Sequence, residues 1–124
     1  MEEIKNVYQK RDDSIRRWFR DNYFDLIIWY DENKVIVGFQ LCYDVQNYER
    51  AITFSQGKFS HNKIDQGNES PNKNRTPILV ADGYFDDSIV LPKFIEATKN
   101  LEFEIVNYVI TKIQEYTEKS KLYK

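Results

Sequence analysis

The stretch YFDLIIWYDENKVIVGFQLCY, running from Tyr23 to Tyr43, decides the fold. Phe24, Leu26, Ile28 and Tyr30 fall on every second position of its first half. Val35, Val37, Phe39, Leu41 and Tyr43 do the same in the second half. Period-two alternation of apolar side chains marks a strand with one buried face. Asp31-Glu32-Asn33 between them is a polar reversal that leaves room only for a hairpin. The stretch therefore predicts two antiparallel strands, Tyr23 to Tyr30 and Lys34 to Tyr43, with one shared apolar face.

Working outward, Ile15 to Arg20 reads as a preceding strand, opened by the turn residues Asp12-Asp13-Ser14 and closed by Asp21-Asn22. Glu49 to Ser55 reads as the strand that follows the Asp44–Tyr48 turn, and it adds Ile52 and Phe54 to the apolar face. Ile4 to Lys10 suits an edge strand or the start of a short helix, and the strand is the favoured reading. Short connections imply hairpins, hence an antiparallel β-meander of four to six strands. The segment from Gly57 to Pro77 is polar and rich in Gly, Asn and Ser. Its Phe59–Ile64 portion suits an extra strand, residues 66–74 suit a mobile loop, and the whole segment has the length to fold across the sheet. Pro77 to Ala81 is a short apolar run that suits a fifth or sixth strand.

Beyond the Asp82-Gly83 turn the pattern becomes helical. Ser88 or Asp87 is expected to cap a short helix with Pro92 in its first turn. Asn100 is expected to cap a long one, Leu101 to Glu118, with residues 119–124 as a frayed tail. Phe103, Val106, Ile110 and Ile113 recur at helical spacing, flanked by Ile105, Val109 and Tyr116. An amphipathic helix of this kind needs a sheet to cover, and the apolar face of the meander is the available one. The expectation is a single α+β domain over residues 1–124, with one or two C-terminal helices packed on one face.

Composition narrows the functional classes. A chain of 124 residues is too short for two cores, and 41% hydrophobic content is enough for one. Eighteen basic against twenty acidic residues disfavour a nucleic-acid binder. The longest apolar run, Leu26 to Tyr30, is far short of the ~20 residues of a membrane span. No apolar leader follows Glu2 and Glu3, and the single cysteine fits a reducing compartment, so a cytoplasmic location is expected.

The second sheet face carries the candidate ligand-binding residues. Alternation places Arg16, Trp18, Asp25, Trp29, Gln40, Cys42 and Asp44 there, together with Arg20, Ile27, Ile36, Gly38, Glu49, Ala51 and Thr53. Such a mixture of aromatic, amide and charged groups suits a small polar ligand or a protein partner, and a homodimer is a further expectation. Arg16-Arg17-Trp18-Phe19-Arg20 interleaves bases with aromatics, as a single-strand nucleic-acid platform does. Pairing of these arginines with Asp25 or Glu49 across the sheet is the favoured reading. His61, the one histidine, is expected near the same face and completes the candidate set. With Asp65, Asp44 or Asp82 it would form the base of a small hydrolase, the alternative to a non-catalytic binding module. No catalytic residue is assigned. Cys42 in mid-strand reads as a packing residue, because nothing local lowers its pKa. One His and one Cys do not make a zinc site, and Asp82, Asp86 and Asp87 lack the ligand order of a calcium loop. Neither metal nor cofactor is expected.

The stretches RRWFRDNYFDLIIW (residues 16–29), GFQLCYD (38–44), ERAITF (49–54) and TPILVADG (76–83) are similar to a group of short bacterial proteins without assigned function. The resemblance covers most of the chain. It implies a single domain and brings no catalytic motif with it.

Overall fold

The computed structural model describes residues 1–4, 15–65, 78–81 and 85–122. Among these residues seven strands form one antiparallel sheet in sequence order: β1 (Glu2–Glu3), β2 (Ile15–Arg20), β3 (Phe24–Tyr30), β4 (Ile36–Tyr43), β5 (Arg50–Ser55), β6 (Lys58–Asp65) and β7 (Ile78–Ala81). Two helices follow, α1 (Asp87–Ala97) and α2 (Phe103–Leu122). The expected α+β meander with C-terminal helices is present. The strand expected over Ile4–Lys10 lies almost wholly outside the described residues, as does the loop expected over 66–74. The start of the long polar segment extends the sheet as β6 and does not cross it.

The core forms in rows running across the strands. Phe19, Leu26, Leu41 and Ile52 stand opposite one another on β2 to β5, and all are buried. Arg17, Ile28, Phe39, Phe54 and Phe59 form a parallel row on the same face. Val90 and Phe94 of α1 and Ile105, Val109 and Ile113 of α2 close over these rows. Phe94 meets Phe24 edge-on at 5.7 Å, and Tyr108 meets Phe39 at 6.3 Å. Full burial of each such side chain stabilises the fold by about 1.5–3 kcal/mol. The buried stripe of α2 is therefore Ile105–Val109–Ile113. Phe103, placed on the stripe by its spacing, opens the helix and stays 80% exposed.

One register shift changes the face assignment of β4. Trp29 pairs with Gly38, but the next residue, Tyr30, pairs with Ile36, leaving Val37 as the extra residue of a β-bulge. Alternation is broken there. Ile36 enters the core while Val35 and Val37 are exposed, the reverse of the expectation for all three. The bulge needs Gly38, because a Cβ at that position would stand 2.5 Å from the Phe54 carbonyl oxygen.

The helix starts also differ in detail. Asp86 caps α1, its carboxylate accepting from the Ser88 backbone N–H at 3.1 Å, and Pro92 lies beyond the first turn. Asn100 precedes α2 and donates to the Met1 carbonyl at 2.8 Å, so its amide ties the first residue to the helical layer. Arg17 adds a second tie, reaching Glu3 at 2.9 Å and Glu102 at 3.0 Å. Hydrogen bonding to Glu3 holds its guanidinium further above the ordinary arginine value, against the opposing effect of burial.

Candidate functional site

Both helices pack on the face that carries Phe39 and Leu41, so the opposite face bears Trp18, Asp25, Trp29, Gln40 and Cys42, as alternation predicts. The register arranges them in three rows. The first is Arg16, Trp29, Gly38, Ser55 and Lys58. The second is Trp18, Ile27, Gln40, Thr53 and Ser60, and the third Arg20, Asp25, Cys42, Ala51 and Asn62.

Charge on the β2–β3 side of this face is internally matched. The Trp18 indole N–H donates to one Asp25 oxygen, and Arg20 donates to the other at 3.3 Å. The Arg20 guanidinium also lies 5.1 Å above the Trp18 ring. Pairing across the sheet, the favoured reading of the arginine-aromatic segment, is thus what Arg20 does. Arg17, by contrast, lies on the core face.

The centre of the face is neutral. Gln40 donates to the Cys42 sulfur at 3.5 Å and accepts from the Thr53 hydroxyl at 3.4 Å. Cys42 is buried, and desolvation, with Glu49 and Asp25 nearby, pushes its thiol up to about 12. A thiol held protonated is a poor nucleophile, which supports packing as the role of Cys42.

At the hairpin end, Trp29, Val37, Ser55 and Gln56 line an open cleft of about 290 Å³. Three local features shape it. Gly38 carries no Cβ, and one there would stand 3.2 Å from Trp29 Cε3, so the indole settles against the sheet. The bulge brings Val37 to the cleft wall. Gln56 and Gly57 both have positive φ, 53° and 78°, giving the two-residue turn that sets Gln56 beside Ser55.

Arg16 and Asp44 lie at the margins. Arg16 is half-buried and stands opposite Trp29. Asp44 falls in the β4–β5 turn, where its carboxylate accepts from the Asn47 amide at 3.2 Å.

His61 is on the other face. It continues the Phe19–Leu26–Leu41–Ile52 row and is 6% exposed beneath the helices, so it does not join the other seven candidates. Its Nε2 is 2.6 Å from the Tyr43 hydroxyl, with the two rings parallel at 5.9 Å. Phe85 and Tyr116 meet it at 5.3 Å and 6.4 Å. The Nε2 atom faces a phenol, and the hydrolase alternative calls for a carboxylate within hydrogen-bond reach of the ring. Of the three acids named for it, Asp44 is bonded in its turn, and the Asp65 side chain and Asp82 lie outside the described residues.

A second cleft, about 420 Å³ and wide open, lies between α1 and the start of β3, lined by Tyr23, Phe24, Pro92 and Lys93 among others. Its cation is engaged, Lys93 Nζ lying 4.7 Å over the Tyr23 ring. Among the described residues no group of three or more His, Cys, Asp or Glu is placed to hold a metal ion. No described helix is long and apolar enough to cross a membrane.

Sequence reasoning missed Val37, Ser55 and Gln56 at the cleft and Tyr43 beside His61. The Gln56-Gly57 pair between two strand-like runs is a hairpin signal that would have placed Ser55 and Gln56. The bulge has only Gly38 as its trace, and a strand glycine alone is a weak signal. Comparison with protein-family models, with curated proteins and with solved structures found no match to this chain.

Proposed function

We propose that the protein is a non-catalytic binding module that receives its ligand on the Trp18–Trp29 face of the sheet. The observation that supports this most is the segregation of the two tryptophans. Both lie on the face opposite α1 and α2, although an indole is among the side chains that gain most from core burial. Ligand sites combine an apolar floor with a few placed polar groups, and Trp29 with Gln40, Thr53, Ser55 and Gln56 has that composition.

The two indoles are also the natural reporters, since the chain has no other tryptophan. Screening a fragment library by the indole N–H resonances of the ¹⁵N-labelled protein should give ligands that shift Trp29. Followed in the variants by backbone amide shifts, their binding should be lost in Trp29→Ala and kept in Lys93→Ala. Ligands lost in Lys93→Ala and kept in Trp29→Ala would move the site to the helix cleft and end this reading.

A further inference from the structure

We propose that the Trp29 cleft is a saccharide subsite, an inference that rests on the binding-module reading and names its ligand class. The floor is a flat indole. Gly38 opposite Trp29 lets the ring lie against the strand backbone, with the 3.2 Å Cβ approach showing how little room any other residue would leave. The electron-rich face of an indole attracts the polarised C–H bonds that one side of a pyranose ring presents. Charged ammonium ligands would use the same face, but they also call for a free carboxylate. Among the described acids flanking Trp29 on its strand, Asp25 is already bonded to Trp18 and Arg20, and Asp31 to the Asn33 and Val35 backbone N–H groups.

The polar groups around the floor are hydroxyls and amides. Ser55 and Gln56 line the cleft, and Thr53 and Gln40 lie in the adjacent row, linked to each other at 3.4 Å. Hydroxyl and carboxamide groups each donate and accept, which is what a ring of hydroxyls requires and what a purely acceptor phosphate does not. At about 290 Å³ the cleft sits near the lower end of the ~300–1,000 Å³ range of ligand sites, suiting one sugar ring with the rest of a chain running along the sheet. Lys58 pairs with Ser55 in the sheet register and is the exposed cation in the same row, which a uronate carboxylate would pair with. Neutral and uronic saccharides therefore share the stacking floor and differ only at that lysine.

The test titrates the full chain with cellohexaose, maltohexaose and oligogalacturonate, and separately with AMP and oligo(dT), following the Trp18 and Trp29 indole resonances together with the backbone amides, which report binding in the variant that lacks Trp29. A saccharide should shift Trp29. Trp29→Ala, checked for folding by circular dichroism, should weaken that binding by about tenfold. Ser55→Ala with Gln56→Ala, which leaves the indole in place, should weaken it too, and Lys93→Ala should not. Loss of the oligogalacturonate response alone in Lys58→Ala would identify the uronic source, and its retention the neutral one. Binding of AMP or oligo(dT) at Trp29, with no saccharide response, overturns the inference. If the saccharides are silent while library fragments still shift Trp29, the saccharide inference falls and the binding-module reading stands. If both sets are silent, both fall.

Discussion

Removing the Tyr43 hydroxyl should destabilise the protein far more than one oxygen atom suggests, and replacing His61 should cost less once that hydroxyl is gone. The two residues are 7% and 6% exposed, and their 2.6 Å contact is made inside an aromatic cluster with Phe85 and Tyr116. Tyr43→Phe takes the phenol away from a buried imidazole nitrogen, at a cost of about 1–3 kcal/mol. His61 ends a row that is otherwise Phe19, Leu26, Leu41 and Ile52. In the Tyr43→Phe background, His61→Leu therefore extends the apolar row and removes the polar atom that Tyr43 served. Losing either partner of a buried bond strands the other, so the loss in the double variant should be smaller than the sum of the two single losses. Urea unfolding followed by tryptophan fluorescence measures this. A loss of 2 kcal/mol lowers the midpoint by roughly 1 M at the slope of ~1–3 kcal/mol/M found for small domains. A Tyr43→Phe variant as stable as the parent, or a double variant whose losses add, would refute the reading of His61 as a core residue satisfied by Tyr43.

Other consequences are equally direct. Gly38→Ala should cost about 1–3 kcal/mol in the same assay, because its methyl would meet the Phe54 carbonyl oxygen at 2.5 Å and the strand cannot yield without losing the bulge. Gln56→Asn should raise stability by a few tenths to about 1 kcal/mol, since Asn-Gly is the favoured pair for a turn with two positive φ values. Thermal unfolding should be unchanged or better in that variant. Stability should fall as pH rises from about 9 to about 12. The Cys42 thiol ionises near 9 when unfolded and near 12 when folded, and burial raises Tyr23, Tyr30 and Tyr108 in the same direction. Across that window the folded state holds more protons, so raising pH favours unfolding, and Cys42→Ala should flatten the slope.

Much of the fold is legible in the sequence because a half-buried strand leaves a period-two trace. Ile15–Arg20 appears with its observed ends, and the strand bodies from Phe24 to Ile64 are where alternation puts them. The errors have local physical causes. A bulge advances the chain by one residue, so alternation counted back from Phe39 assigns Val35, Ile36 and Val37 to the wrong sides. Helical periodicity assigns Phe103 to the stripe, but a first-turn residue can point past the edge of the sheet. The candidate face is legible for the same reason as the core, since Trp18, Asp25, Trp29, Gln40 and Cys42 occupy the positions between core residues. His61 was misplaced because a polar strand suggests a solvated segment. Nothing in Lys58–Asp65 signals that its histidine would complete an apolar row four strands wide and find a tyrosine there.

The proposed site puts ligand recognition on the Trp29 face and leaves the His61 cluster a packing role. Backbone and indole chemical-shift mapping of the labelled protein with a bound oligosaccharide tests both halves at once. Perturbations should centre on Trp29, Gly38, Gln40, Thr53, Ser55 and Gln56, with His61, Tyr43 and Tyr116 unchanged. Shifts centred on His61 and its aromatic neighbours, with the Trp29 indole silent, would contradict it.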